Sequence, residues 1–137
     1  MQREIKFRAW DKEYKTWALD YEVYISLDGC LWEDSAKKFN TPNQEISWSN
    51  TGRYVLVQYT GLKDKNGKEI FEGDIVEYAP NDIFYKWQVL WGKRLARYYL
   101  LSLEKDIRPD SYLNEDIALN CEIIGNIYKN PELLREK

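Results

Sequence analysis

From Trp17 to Leu27 the chain alternates strictly between two sets of side chains. Trp17, Leu19, Tyr21, Val23, Ile25 and Leu27 share one face of an extended strand, and Ala18, Asp20, Glu22, Tyr24 and Ser26 the other. A two-residue period suits a half-buried β-strand and cannot lay an apolar stripe along a helix, whose period is 3.6. The run closes at Asp28-Gly29, a dipeptide favoured at the positive-φ positions of a type I′ hairpin turn. Cys30, Leu31 and Trp32 are therefore expected to begin a return strand.

The same pattern recurs along the chain. Ile5, Phe7 and Ala9 alternate with Lys6, Arg8 and Trp10, with the first set directed inward. Tyr54–Thr60 and Asp74–Ala79 read as strands, the second closed by Pro80-Asn81. Ile83, Tyr85, Trp87, Val89 and Trp91 alternate again, which assigns Trp87 and Trp91 to a core face. Gly92-Lys93 then turns the chain into the apolar run Tyr98–Leu103, and Cys121–Tyr128 forms a last strand. Residues 33–53 and 104–116 are polar connectors, the first a long surface excursion with one helical turn around Asp34–Phe39. Ile117–Leu119 forms a second such turn. Asn130-Pro131 supplies an N-cap and a proline at the first helical position, opening a short C-terminal helix.

Seven or eight short strands separated by turns, with no long crossover helices, predict a mainly β chain built from meanders. An SH3-like small β-barrel, with additional N-terminal strands and the short C-terminal helix, removes the exposed edges that open sheets leave. The expected organisation is an N-terminal hairpin lobe with its long loop over residues 1–53 and the barrel over 54–137, either as two lobes or as one compact unit.

Composition narrows the chemistry. Of 137 residues, 44% are hydrophobic and 15% aromatic, enough apolar area to offset the ordering entropy of one domain. Twenty basic and 23 acidic side chains leave a net charge of −3, with no global footprint for nucleic acid or membrane. No apolar run is long enough to span a bilayer and the charged N-terminus lacks a secretory core, so a cytosolic protein is expected. The chain has no histidine, which removes Ser-His-Asp and Cys-His nucleophile systems and the commonest zinc ligand. Cys30 and Cys121 are expected as reduced, partly buried thiols.

The stretch "YTGLKDKNGKEIFEGDIV", residues 59–76, invites a ligand-binding reading. An EF-hand register with Asp64 at the third position places Leu62 first and Gly73 last, where carboxylates are required. Gly61, Gly67 and Gly73 are spaced by six and flanked by strands, unlike any phosphate-binding glycine loop. Glu69, Glu72, Asp74 and Glu77 are expected to form a solvated rim, Asn66-Gly67 a two-residue hairpin turn, and Gly61 and Gly73 a bulge or a close backbone approach. No metal or cofactor is expected.

From Ile83 to Leu103 there is no acidic residue, while Lys86, Lys93, Arg94 and Arg97 share the stretch with Phe84, Tyr85, Trp87, Trp91, Tyr98 and Tyr99. Mixed cations and rings bind single-stranded nucleic acid, the rings stacking on bases and the cations tracking phosphates. The assignment of Trp87 and Trp91 to the core, with Lys86 pointing away, weighs against that use.

Three segments, "REIKFRAWD", "QYTGLKDKNGKEIFEGDIV" and "IIGNIYKNPELL", resemble the YopX-like family of phage and prophage proteins, in the family's order and across nearly the whole chain. The resemblance implies a β-rich fold with an SH3-type barrel, an oligomer-forming protein, and a location in the cytoplasm of a bacterial host. It brings no catalytic residue or substrate, and Gly61, Gly67, Gly73 and Asp74 carry over as fold determinants. The expected function is a non-enzymatic phage accessory module that self-associates and contacts host or phage proteins. The alternative is a nucleic-acid-binding small barrel using residues 84–99, with Lys86, Lys93, Arg94 and Arg97 as contacts.

Overall fold

The computed structural model describes residues 4–19, 23–34, 48–50, 52–104 and 111–134. The chain divides into two compact units, one of residues Arg8–Leu56 and one formed by Met1–Phe7 together with Val57–Lys137. It is mainly β, with twelve strands among the described residues.

In the first unit, β1 (Phe7–Asp11) pairs antiparallel with β2 (Thr16–Trp17), setting Trp10 opposite Trp17 with their rings edge to face at 5.0 Å. Strands β3 (Val23–Ile25), β4 (Leu31–Asp34) and β5 (Trp48–Asn50) form a three-stranded antiparallel sheet. Ala9, Leu31 and Tyr54 are its buried apolar centre. Asp11 is buried as well, and its carboxylate accepts from Nε and Nη2 of Arg53 at 2.9 and 2.6 Å and from the backbone N–H of Glu13 and Tyr14.

Several expectations change here. The Trp17–Leu27 alternation does not form one strand: β2 and β3 are short, and Leu19, Ile25 and Leu27 are exposed. Ile5, just before β1, and Phe7 are exposed, while Trp10, on the face assigned to solvent, is buried against Trp17. Asp11, on the other face, is buried against Arg53. The 33–53 excursion carries β4 to its end and β5, whose Trp48 pairs with Asp34. The helical turn expected at Asp34–Phe39 lies outside the described residues beyond Asp34.

The second unit starts its strands in β6 (Tyr54–Lys63), which pairs with β7 (Glu69–Phe71). A five-stranded antiparallel sheet follows in the order β11-β10-β9-β8-β12, made of β8 (Asp74–Tyr78), β9 (Tyr85–Gly92), β10 (Arg97–Ser102), β11 (Ser111–Tyr112) and β12 (Glu122–Asn126). A meander of four strands, one helical turn α1 (Glu115–Ala118), and a last strand returning beside the first is the path of an SH3-like small barrel. Its core holds Ile70, Val76, Val89, Leu100 and Cys121, all fully buried, with Trp87 beside them. Burial pushes the Cys121 thiol up to about 12. Cys30 and Cys121 are both free.

Both glycine hairpins form, but neither has the type I′ turn expected. At Asp28-Gly29 and Asn66-Gly67 only the glycine takes positive φ, +87° and +78°. Gly29 donates to the Ser26 carbonyl and Gly67 to that of Asp64, while Ser26 and Asp64 donate to Cys30 and Lys68. This is a type I turn closed by a left-handed glycine, one residue longer than the two-residue loop. The connector after β10 contains β11. The C-terminal helix is a single 3-10 turn (Pro131–Leu134), and the Asn130 side chain accepts from Asn126 N–H.

Candidate functional site

Pairing of β9 with β10 builds the site. Gly92 faces Arg97 across the ladder, leaving Lys93–Ala96 as the hairpin tip, with Ala96 in the left-handed region at φ +50°. Val89 and Leu100 face each other on the core side, both fully buried. Trp91 and Tyr98 form the next pair on that face, their rings edge to face at 4.9 Å. The core has ended by this point, so Trp91 is 48% exposed.

The opposite face of the hairpin carries Gly92, Arg97 and Tyr99, and β11 sets Tyr112 against Tyr99. The Arg97 guanidinium lies over the Tyr112 ring, 3.2 Å from its centroid, a cation–π contact. Gly92 admits the Tyr99 ring: a Cβ there would stand 3.1 Å from Tyr99 Cδ1 and 3.0 Å from the Arg97 carbonyl oxygen. Together Trp91, Lys93, Arg94, Leu95, Arg97, Tyr99 and Tyr112 line a cavity of about 630 Å³. Lys93, Arg94 and Arg97 form no ion pair among the described residues.

The four candidate cations are therefore divided. Lys93, Arg94 and Arg97 converge on the cavity, whereas Lys86 sits at the other end of β9, opposite Glu77 of β8. Six residues of β9, Trp87 to Gly92, separate it from Lys93, roughly 20 Å at strand rise. The expectation that rings and cations lie apart holds for Trp87, which is buried with its indole N–H donating to the Tyr78 carbonyl. It fails for Trp91. Tyr112 was missed, since it falls in a segment read as a polar connector; the Ser111-Tyr112-Leu113 alternation was its one local signal.

On the other flank of Trp91 a smaller cavity of about 170 Å³ is lined by Glu4, Gln58, Glu72 and Tyr98 among others, so Trp91 separates an acidic side from a basic one. Glu72 accepts from Gln58 N–H at 2.7 Å. Lys6 bridges Glu69 at 2.7 Å and Glu4 at 3.0 Å.

The carboxylates of the 59–76 stretch serve the fold. Asp64 Oδ1 accepts from Asn66 and Lys68 N–H, both at 2.9 Å, and Oδ2 from Ile123 N–H at 3.0 Å. Asp74, expected on a solvated rim, is buried; it accepts from Phe71 N–H at 2.8 Å and Asn126 Nδ2 at 3.0 Å. Gly61 stands where the β6–β7 register shifts, at φ +89°. Gly73, at φ +86°, exchanges backbone hydrogen bonds with Val89 and Ile127. Among the described residues no group of three or more His, Cys, Asp or Glu could hold a metal ion, and no helix is long and apolar enough to cross a membrane.

The family model described as YopX protein matches residues 6–135. Protein EF1440 from Enterococcus faecalis is similar in structure at a TM-score of 0.64 and 27% identity, over 98% of this chain and 100% of that one. Protein yopX from Bacillus subtilis shares the fold at a TM-score of 0.58 and 19% identity, over 98% and 100% of the two chains. No curated protein matches the sequence.

Proposed function

The chain belongs to the YopX protein family, and from that membership we propose that it is a non-enzymatic accessory protein of a bacteriophage or prophage, acting in the host cytoplasm as an interaction module that self-associates. The observation that carries this reading is the β9–β10 hairpin cavity, where exposed rings gather with cations that have no ion-pair partner among the described residues. Groups placed this way suit recognition of a macromolecule, since aromatic residues and arginine are enriched where partners meet. The buried carboxylates favour the non-enzymatic reading, because Asp11, Asp64 and Asp74 each spend their oxygens on hydrogen bonds that hold the fold. Self-association is favoured by Ile83 and Phe84, consecutive apolar side chains each more than half exposed.

Multi-angle light scattering at micromolar concentration tests the assembly. A mass above that of one chain, lowered by Ile83→Ser with Phe84→Ser, is the expected result. A clean single-chain mass overturns self-association. Recognition through the hairpin is tested by Arg94→Glu with Arg97→Glu, which abolishes capture of host or phage components if the cavity is the recognition surface.

A further inference from the structure

We infer that the β9–β10 hairpin cavity binds single-stranded nucleic acid, with phosphates on Lys93, Arg94 and Arg97 and bases stacked on Trp91 and Tyr112. This rests on the reading of the cavity as the recognition surface and names its ligand. Three observations carry it. Cations and rings are interleaved within one cavity of about 630 Å³, inside the size range of ligand sites. The rings are accessible, with Trp91 48% and Tyr112 50% exposed, whereas an anionic peptide would need the cations alone. Charge also differs across Trp91: Glu72 and the Lys6-paired Glu4 line its other flank, where no cation among the described residues lines the cavity. Lys93, Arg94 and Arg97 line this one and draw an anionic backbone to it.

A single strand fits better than a duplex. Stacking on Trp91 and Tyr112 requires unpaired bases, and α1, the one α-helix among the described residues, has four residues, too short to read a major groove. The overall charge of −3 offers no general attraction for polyanions, so binding depends on the local patch.

The test is fluorescence anisotropy with a labelled mixed-sequence 12-nucleotide single-stranded DNA, titrated at several salt concentrations between about 20 and 200 mM. Three phosphate contacts predict that log K falls against log[salt] with a slope near −2, about −0.7 per contact on a single strand. Lys93→Glu with Arg94→Glu should weaken binding at least tenfold and flatten the slope. Trp91→Ala or Tyr112→Ala should weaken it roughly tenfold, as loss of one stacking platform does, while Trp91→Phe retains most of it. Lys86→Glu, on the same strand but off the cavity, should leave binding within twofold, which excludes a merely global charge effect. Thermal melts of each variant identify losses due to unfolding.

A duplex of the same sequence binding as tightly overturns the single-strand assignment. Absence of salt-sensitive DNA binding, with a poly-glutamate peptide bound and then lost in the Lys93→Glu, Arg94→Glu variant, overturns the nucleic-acid inference and leaves the recognition surface standing. Neither probe binding, with capture of partners unaffected by the variants, overturns both.

Discussion

Asp64 accepts a hydrogen bond from Ile123 N–H at 3.0 Å across 59 residues of sequence. The same carboxylate holds the Asn66-Gly67 turn through the amides of Asn66 and Lys68. One buried side chain thus ties the β6–β7 hairpin to the last strand, and the Lys65 N–H to Cys121 carbonyl bond at 3.0 Å runs alongside it.

Asp64→Ala should accordingly destabilise the protein by about 3 kcal/mol, since three amide donors lose the buried carboxylate that they share. Asp64→Asn should be less damaging, because one oxygen remains while the new NH2 confronts a donor. Urea midpoints of both variants against wild type check the order; equal stability of Asp64→Ala and wild type contradicts it.

Acid should act through Asp11. The hydrogen bonds from Arg53, opposed by burial and assisted by the amides of Tyr14 and Glu13, hold its carboxyl below the ordinary value. A lowered folded pKa means the contribution is complete above the unfolded value, about 3.9, and is lost as pH falls through the folded one. Arg53→Met should cost roughly 3 kcal/mol at pH 7, as breaking a buried pair does. That difference from wild type should stay level down to about pH 4 and shrink below it, which denaturant titrations across pH measure.

A β-carbon at Gly125 would lie 2.6 Å from Leu133 Cδ1 and 2.9 Å from Asn130 Oδ1. Gly125→Ala should therefore destabilise by about 1–3 kcal/mol, the range for overpacking. Leu133→Ala removes the nearest obstacle, so the double variant should be more stable than the sum of the single changes allows. Strict additivity would show that Leu133 is not the group in the way.

Thiol chemistry should separate the two cysteines. Cys121 is fully buried with its thiol pushed up to about 12, while Cys30 is half-buried and raised by the Asp28 charge. At pH 8 a disulfide reagent should modify Cys30 alone in the native protein, slowly, and Cys121 after denaturation. Fast titration of two thiols under native conditions would contradict this packing.

Fold class was legible because turn dipeptides and alternating runs are local signals: Asp28-Gly29 and Asn66-Gly67 do mark hairpins, and Tyr54 does open a strand. The exact turn was not, because Asp64 and the Ser26 and Asp28 pair hold a loop one residue longer. Alternation misassigned Trp10, since Trp17 covers the face that the pattern gives to solvent. Asp74 read as exposed because its partner Asn126 lies 52 residues on. In the site, the cations were visible as composition, but only the ladder shows that Lys86 stands apart and that β11 carries Tyr112 to Tyr99.

The hairpin tip has a bearing on how such a protein diversifies. The last fully buried pair, Val89 and Leu100, lies three residues inside the Gly92–Arg97 closure, so the charges on Lys93 and Arg94 contribute nothing to the interior. Ala96 adopts a left-handed conformation that glycine takes without strain. Related chains can therefore exchange the tip residues, and with them their ligand preference, under little selection from folding. The barrel behaves as a chassis and the tip as its interchangeable part.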